Sequence, residues 1–313
     1  PSHAATVARQ AFSAGPPDMS LAEAIVASPD DPAENAWRAT VAAWEGAIIA
    51  GADAADLSLL DWWNNALKGR NLAVAGGLGA LVSDLLGPRA GAVHLGAPVG
   101  RIRWQEPGGR VVVETSRGTV TARGCVVTVS TGVLAAGHIR FAPGLPADVQ
   151  ESIHGLPMGL LTKVALRASG ADRLDLPPFC GIDRQLASAD ESAMVFHAWP
   201  FGADHVIGFV GGRAAWELAA AGPAAAEDFA RQRLRAMFGA RADGGLAGGA
   251  LATAWGTDQR VLGAYCYARP GAGGARAVLA QPLIDGRLVF AGEACPLDGL
   301  AGTVGGAYLS GRR

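Results

Sequence analysis

The segment Leu288-Val289-Phe290-Ala291-Gly292-Glu293 constrains the fold of this chain more than any other. Its apolar residues read as a buried strand that stops at two small residues and then an acid. In open α/β sheets, ligands sit just beyond the carboxyl ends of the strands. A carboxylate placed there can accept hydrogen bonds from ribose or sugar-alcohol hydroxyls. A short loop later, Gly302-Thr303-Val304-Gly305-Gly306-Ala307 opens a helix. The first N–H groups of a helix lack partners within it and favour an electron-rich oxygen. Taken alone, Glu293 is an acid on a surface turn. Strand, small-residue turn, acid and Gly-rich helix start together predict an α/β fold with a cofactor at this end.

The remainder of the chain supplies elements to surround that strand. Residues 1–66 read as helical, with Asp18 or Ser20 capping LAEAIVAS and Glu23 completing a capping box with Ser20. Ala36–Ile49 reads as a second helix with Trp37 and Trp44, seven apart, on one packed face. From residue 71, a glycine turn opens a short apolar helix (NLAVAGGLGALVSDLLG), and strands follow across AVHLGAPVGRIRWQ, RVVVETS and GTVTARG. Pro107-Gly108-Gly109 and Ser116-Arg117-Gly118 mark hairpin turns. Gly124–Ser130 is a nearly continuous apolar run, as for a strand buried on both faces. Strands at MGLLTKVALRA, AMVFHAWP and HVIGFVGG precede an amphipathic helix, PAAAEDFARQRLRAMFGA, whose arginines form a solvated face.

Composition removes several function classes. A net charge of −2 argues against nucleic-acid binding. No apolar run is long enough to span a bilayer uninterrupted, so no membrane partner is expected. Cys125, Cys180, Cys266 and Cys295 form no C-x-x-C, so neither a zinc site nor a disulfide framework is indicated, and a reducing, cytoplasmic setting is expected. The six histidines show no helical i, i+3 or i, i+4 pair, and no metal site is expected. H-E-x-x-H, G-x-S-x-G, a P-loop and a full G-x-G-x-x-G are all missing. Pro1 carries no initiator Met and no apolar signal core follows, so the chain reads as beginning in mid-protein. Its only lysines are Lys68 and Lys163. Where Arg is the default cation, each needs its own explanation.

Three blocks resemble flavin-containing amine oxidases, the family of monoamine oxidases, polyamine oxidases and lysine-specific histone demethylases. They are VVTVSTGVLAAGHIRFAPGLP followed by GLPMGLLTKVALR, then TAWGTDQRVLGAYCYARPG, then AGEACPLDGLAGTVGGAYLSGRR, in the family's order. The resemblance implies FAD and, site by site, the following roles. Lys163 would hold a water against flavin N5, and Tyr265 would be an aromatic wall facing the flavin. Gly292 and Glu293 would meet the FAD sugar or ribityl hydroxyls. Thr303 and Val304 would present backbone N–H to the flavin pyrimidine oxygen, and Val99 would contact adenine through its backbone. Thr128 and Val129 would end a strand near the cofactor, and Trp255 would pack beside the isoalloxazine. The second aromatic wall some members have near Thr303 is missing. Ala264 stands where some members carry a flavin-linked cysteine, so non-covalent FAD is expected.

The resemblance implies an α/β FAD-binding amine-oxidase-type fold, partial because the N-terminal βαβ unit with its G-x-G-x-x-G is missing. Residues 71–157 and 275–313 would belong to the FAD domain. Residues 1–70 and 158–274 would form a substrate domain of mixed sheet plus helices. The expected activity is oxidation of a primary or secondary amine, with molecular oxygen as the second substrate. Two alternatives stay open. One is a non-catalytic or split-enzyme subunit needing a separate Rossmann-containing polypeptide. The other is an amino-acid oxidase or desaturase-like flavoenzyme. Asp61 and Glu191 are candidate carboxylates for a polyamine tunnel, and no arginine stands out as a clamp for an amino acid.

Overall fold

The computed structural model describes residues 17–27, 31–66 and 72–313. The helical reading of residues 1–16 and the position of Lys68 lie outside the described residues. Helix α1 (Leu21–Val26) begins at Ser20, whose hydroxyl accepts from the Glu23 N–H while the Glu23 carboxylate accepts from the Ser20 N–H. The capping box is therefore present. The second predicted helix is different. It starts at Arg38, and from Ala43 to Ala50 it widens to a π-helix that ends on left-handed Gly51. Trp37 stands outside it as the cap and is half exposed, so it shares no packed helical face with Trp44. Helix α2 (Leu59–Asn64) is capped by Ser58. Helix α3 (Leu78–Leu86) opens on Gly77 and has no buried residue.

Strands β1 (Val99–Glu106), β2 (Arg110–Thr115) and β3 (Gly118–Ala122) form a meander through the two predicted glycine turns. β4 (Cys125–Val127) stands apart, and β5 (Arg140–Ala142) adds to β1 in parallel, giving the order β3-β2-β1-β5. Helix α4 (Ala147–Gly155) leads to β6 (Met158–Gly159) and β7 (Leu161–Arg167). Next come β8 (Cys180–Ile182), β9 (Val195–Ala198) and β10 (His205–Gly211). Helices α5 (Gly212–Ala221) and α6 (Pro223–Phe238) precede β11 (Ala250–Ala252). These strands make an antiparallel sheet in the order β11-β7-β10-β9-β8. One face of it is buried: Val164, Leu166, Val206, Val210 and Phe196 pack with Ala226, Ala230 and Leu234 of α6. The side-chain period of two puts Lys163, Phe209 and His197 on the opposite face.

β12 (Tyr265–Cys266) pairs with β6, and helix α7 (Ala275–Leu279) follows. β13 (Leu288–Phe290) runs parallel to β4, and helix α8 (Val304–Ser310) closes the chain. The expectation for Gly124–Ser130 needs correction. Only Cys125–Val127 is strand, and Val126 is 59% exposed, so the strand is buried on one face alone. Among the described residues β4 pairs only with β13, and nothing covers its second face. One α6 arginine also differs from expectation. Arg231 binds the Leu246 and Gly248 carbonyls as well as Glu227, tying the helix to the next loop rather than only to solvent.

Among the described residues no helix is long and apolar enough to cross a membrane. None of their His, Cys, Asp and Glu side chains cluster in threes that could hold a metal ion.

Candidate functional site

The parallel pair β4–β13 ends in an open cleft of about 180 Å³. Its walls include Thr128 and Val129 beyond β4, and Gly292 and Glu293 beyond β13. The Ala291 N–H donates to the Val127 carbonyl, carrying the parallel register to the lip. Gly292 then turns at φ +134°, a conformation side chains disfavour. The Ser310 hydroxyl fixes this turn by accepting from the Gly292 N–H at 2.9 Å and donating to its carbonyl at 3.0 Å. In sequence, Ser310 carries no positional signal, as a serine inside a helix. Here it makes α8 the support of the Gly292 turn.

Glu293 is held from behind. Its carboxylate accepts from the Cys266 N–H at 3.1 and 3.3 Å and from the Cys266 thiol at 3.4 Å. Burial pushes its carboxyl above the ordinary range, with Arg276 pulling the other way. Burial likewise raises the Cys266 thiol, and it pushes Cys295 up to about 11, so both are protonated at neutral pH. Tyr265, next to Cys266, reaches the Ile49 carbonyl with its hydroxyl at 3.0 Å. A Cβ on Gly302 would meet the Tyr265 ring at 3.8 Å, and the Gly302 N–H donates to the Glu293 carbonyl at 3.0 Å. Tyr265, Glu293 and the start of α8 therefore meet at one place. Thr303 caps α8 by accepting from the Gly306 N–H at 2.9 Å, and Val304 begins it, half exposed.

Other predicted residues lie outside the cleft lining. Lys163 is exposed on the open sheet face, 5.6 Å from the centre of the Phe209 ring. Its N–H and carbonyl both bond Thr253, two residues before half-exposed Trp255. The Gly263 N–H in turn donates to the Trp255 carbonyl, and Ala264 N–H to the Gly159 carbonyl. These bonds place Trp255 in the strand neighbourhood that carries both Lys163 and Tyr265. Val99 opens β1, opposite Thr115, and packs its side chain on the core. Asp61 is no tunnel carboxylate, because it is buried in an ion pair with Arg276. Glu191 pairs with Arg184 at the surface.

Comparison with known proteins identifies this arrangement. The family model described as flavin containing amine oxidoreductase matches residues 19–313. The chain belongs to that family. It is 33% identical to the rice (Oryza sativa subsp. indica) "Lysine-specific histone demethylase 1 homolog 3" over 192 residues, 59% of this chain and 23% of that protein. It is 29% identical to "Polyamine oxidase 4" of Oryza sativa subsp. japonica over 274 residues, 83% of this chain and 52% of that one. The fold resembles cyclohexylamine oxidase from Brevibacterium oxydans IH-35A, with a TM-score of 0.65 at 20% identity, covering 94% of this chain and 68% of that structure. The chain thus spans about a quarter of the demethylase homologue and about half of the polyamine oxidase. Membership in this flavin-containing family implies a flavin cofactor. The donor set fits one: a carboxylate beside a glycine turn at the carboxyl end of two parallel strands suits a polyhydroxylated chain.

Proposed function

We propose that the chain takes part in oxidising a primary or secondary amine with non-covalently held FAD. The observation that carries this reading is the meeting of Glu293, Tyr265 and the α8 start beside the cleft beyond β4 and β13. A bound flavin supplies a hydride acceptor for the amine carbon and passes the electrons to oxygen, so that an imine, then an aldehyde or ketone, and hydrogen peroxide result.

Gly292, Glu293, Thr128 and Val129 would line the cofactor seat, with backbone N–H of Thr303 and Val304 serving a carbonyl oxygen of the ring and Val99 an adenine. Tyr265 would present an aromatic face that favours an approaching amine and excludes water. Trp255 would flank the ring system. Lys163 would hold and orient a water, a role for which a flexible ammonium suits better than the planar guanidinium of this chain's arginines. Ala264 offers no thiol. The Cys266 thiol is buried and directed at Glu293, which supports non-covalent binding.

The test is the full-length gene product. It should be yellow and release hydrogen peroxide from a primary or secondary amine. A colourless product that cannot be loaded with FAD would sink the reading. Lys163→Met should slow flavin reduction or reoxidation on the order of tenfold, about 1.4 kcal/mol in barrier, without releasing flavin. Unchanged kinetics would remove Lys163 from the mechanism.

One observation favours a second reading, a subunit completed by a separate nucleotide-binding strand–helix unit. β4 and β13 form a parallel pair with Val126 exposed, whereas parallel strands are normally covered on both faces. Translating the DNA immediately upstream of Pro1 separates the two. A strand–G-x-G-x-x-G–helix in the same frame favours a single polypeptide, and one in a neighbouring gene favours two.

A further inference from the structure

Arg276 and Asp61 are 5% and 4% exposed, and their ion pair is buried where no bulk water screens it. The guanidinium grips both carboxylate oxygens of Asp61, at 2.7 and 2.9 Å. Its remaining N–H groups reach three further atoms. They donate to the Cys266 carbonyl at 3.1 Å, the Ala294 carbonyl at 3.3 Å and the Cys266 sulfur at 3.2 Å. Asp61 is itself braced by the Ala268 N–H and the Asn65 amide. Cys266 is therefore held on both sides: Glu293 takes its N–H, and Arg276 takes its carbonyl. Arg276 also takes the carbonyl of Ala294, the residue after Glu293.

We propose that Arg276, anchored by Asp61, is a positioning residue that locks Tyr265 and Glu293 into one rigid unit at the flavin seat and supplies the cation beside the Glu293 carboxylate. The proposal rests on the flavin reading of the cleft. Only a planar fork with five donors can serve Asp61, Cys266 and Ala294 at once, so lysine is not an equivalent. The groups facing Glu293 are Arg276 from α7, Asp61 from α2, Cys266 and Tyr265 from β12, and Cys295 from its own loop. Arg276 is the one cation among them. Replacing it leaves Glu293 with burial and, where Asp61 is kept, with Asp61, both of which favour the protonated carboxyl.

The experiment uses the full-length flavoprotein and FAD as probe, measuring FAD affinity across pH beside the thermal midpoint of the flavin-free form. The paired variant Asp61→Asn/Arg276→Met leaves no lone charge buried. It should bind FAD about tenfold more weakly than wild type at neutral pH. Its affinity should fall further as pH drops, and adding Glu293→Gln should flatten that dependence. Arg276→Lys keeps the charge and loses the fork, so it should weaken FAD binding without the new pH dependence. Should the paired variant fail to fold, Arg276→Gln replaces it: the charge goes while amide donors stay, so the new pH dependence should appear there, and a uniform, pH-independent loss overturns the proposal as well. Wild-type affinity and pH profile in a folded variant overturn the proposal. A uniform loss in the paired variant that is independent of pH does so too, because it marks Arg276 as a structural prop only. A wild-type protein that binds no FAD overturns the underlying reading instead.

Discussion

The antiparallel sheet β11-β7-β10-β9-β8 and the parallel pair β4–β13 handle apolar surface in opposite ways. The first buries one face completely under α6, with Val164, Val206, Val210 and Phe196 all at 0% exposure. The second leaves Val126 in the open, and the apolar residues of nearby-in-sequence α3, such as Leu81 and Leu85, are exposed as well. Antiparallel sheets tolerate water on one face, whereas parallel ones are almost always covered on both. The antiparallel sheet thus stands on its own packing. The parallel pair presents surface suited to a further layer.

The largest expected effect tests that contrast directly. Phe196→Ala opens a void under α6 and should cost about 3–5 kcal/mol in urea unfolding. Val126→Ala, at an exposed strand position, should cost no more than about 0.5 kcal/mol in this chain. Comparable losses at the two positions would mean that Val126 is covered and would break the comparison.

A smaller effect sits at the cleft beyond the parallel pair. The Glu293 carboxyl titrates above its unfolded value, because burial disfavours its charge. The folded chain therefore holds that proton more tightly than the unfolded chain does. Its contribution to stability is full below the unfolded carboxyl range and is lost as pH rises through the folded value. Each tenfold gain in proton affinity on folding corresponds to about 1.4 kcal/mol. Glu293→Gln keeps an acceptor for the Cys266 N–H and removes the charge. The flavin-free variant should be more stable than wild type at neutral pH, with a flatter dependence of melting temperature on pH, yet bind FAD less well. A variant less stable than wild type at neutral pH would show that the charge is well solvated and that the cleft is more open than its hydrogen bonds imply.

Local signals were legible in the sequence because each is contained in a few neighbouring residues. The Ser20–Glu23 capping box, the two glycine hairpins, the 223–238 helix and the strand ending at Gly292-Glu293 all belong to this kind. The three motif blocks, read together, placed the chain in its family. What escaped depends on partners far apart in the chain. Arg276 meets Asp61 across more than two hundred positions, and nothing local separates it from the other arginines. Ser310 supports Gly292 from a helix that reads as an ordinary closing turn. The exposure of Val126 was hidden for a related reason: an apolar run records what a strand is built to bury, not whether its cover is in place.

The smallest effect asks whether the cover over α3 is in place. A Cβ on Gly79 would meet nothing within 4 Å, and the residue lies in the first turn of the helix. On β10, by contrast, a Cβ on Gly211 would land on the Ala47 carbonyl. Glycine at 211 is dictated by close approach, whereas glycine at 79 answers to nothing among the described residues. Gly79→Ala should therefore stabilise this chain by roughly 0.5 kcal/mol, through the reduced freedom of the unfolded state and better helix propensity. Denaturant midpoints would measure it. The informative comparison is with the full-length flavoprotein. A gain in this chain that becomes a loss there would mean that another backbone or a bound group packs against Gly79. A gain in both would mean that α3 keeps this face in water, and the apolar surface awaiting a cover would shrink to β4 and its neighbours.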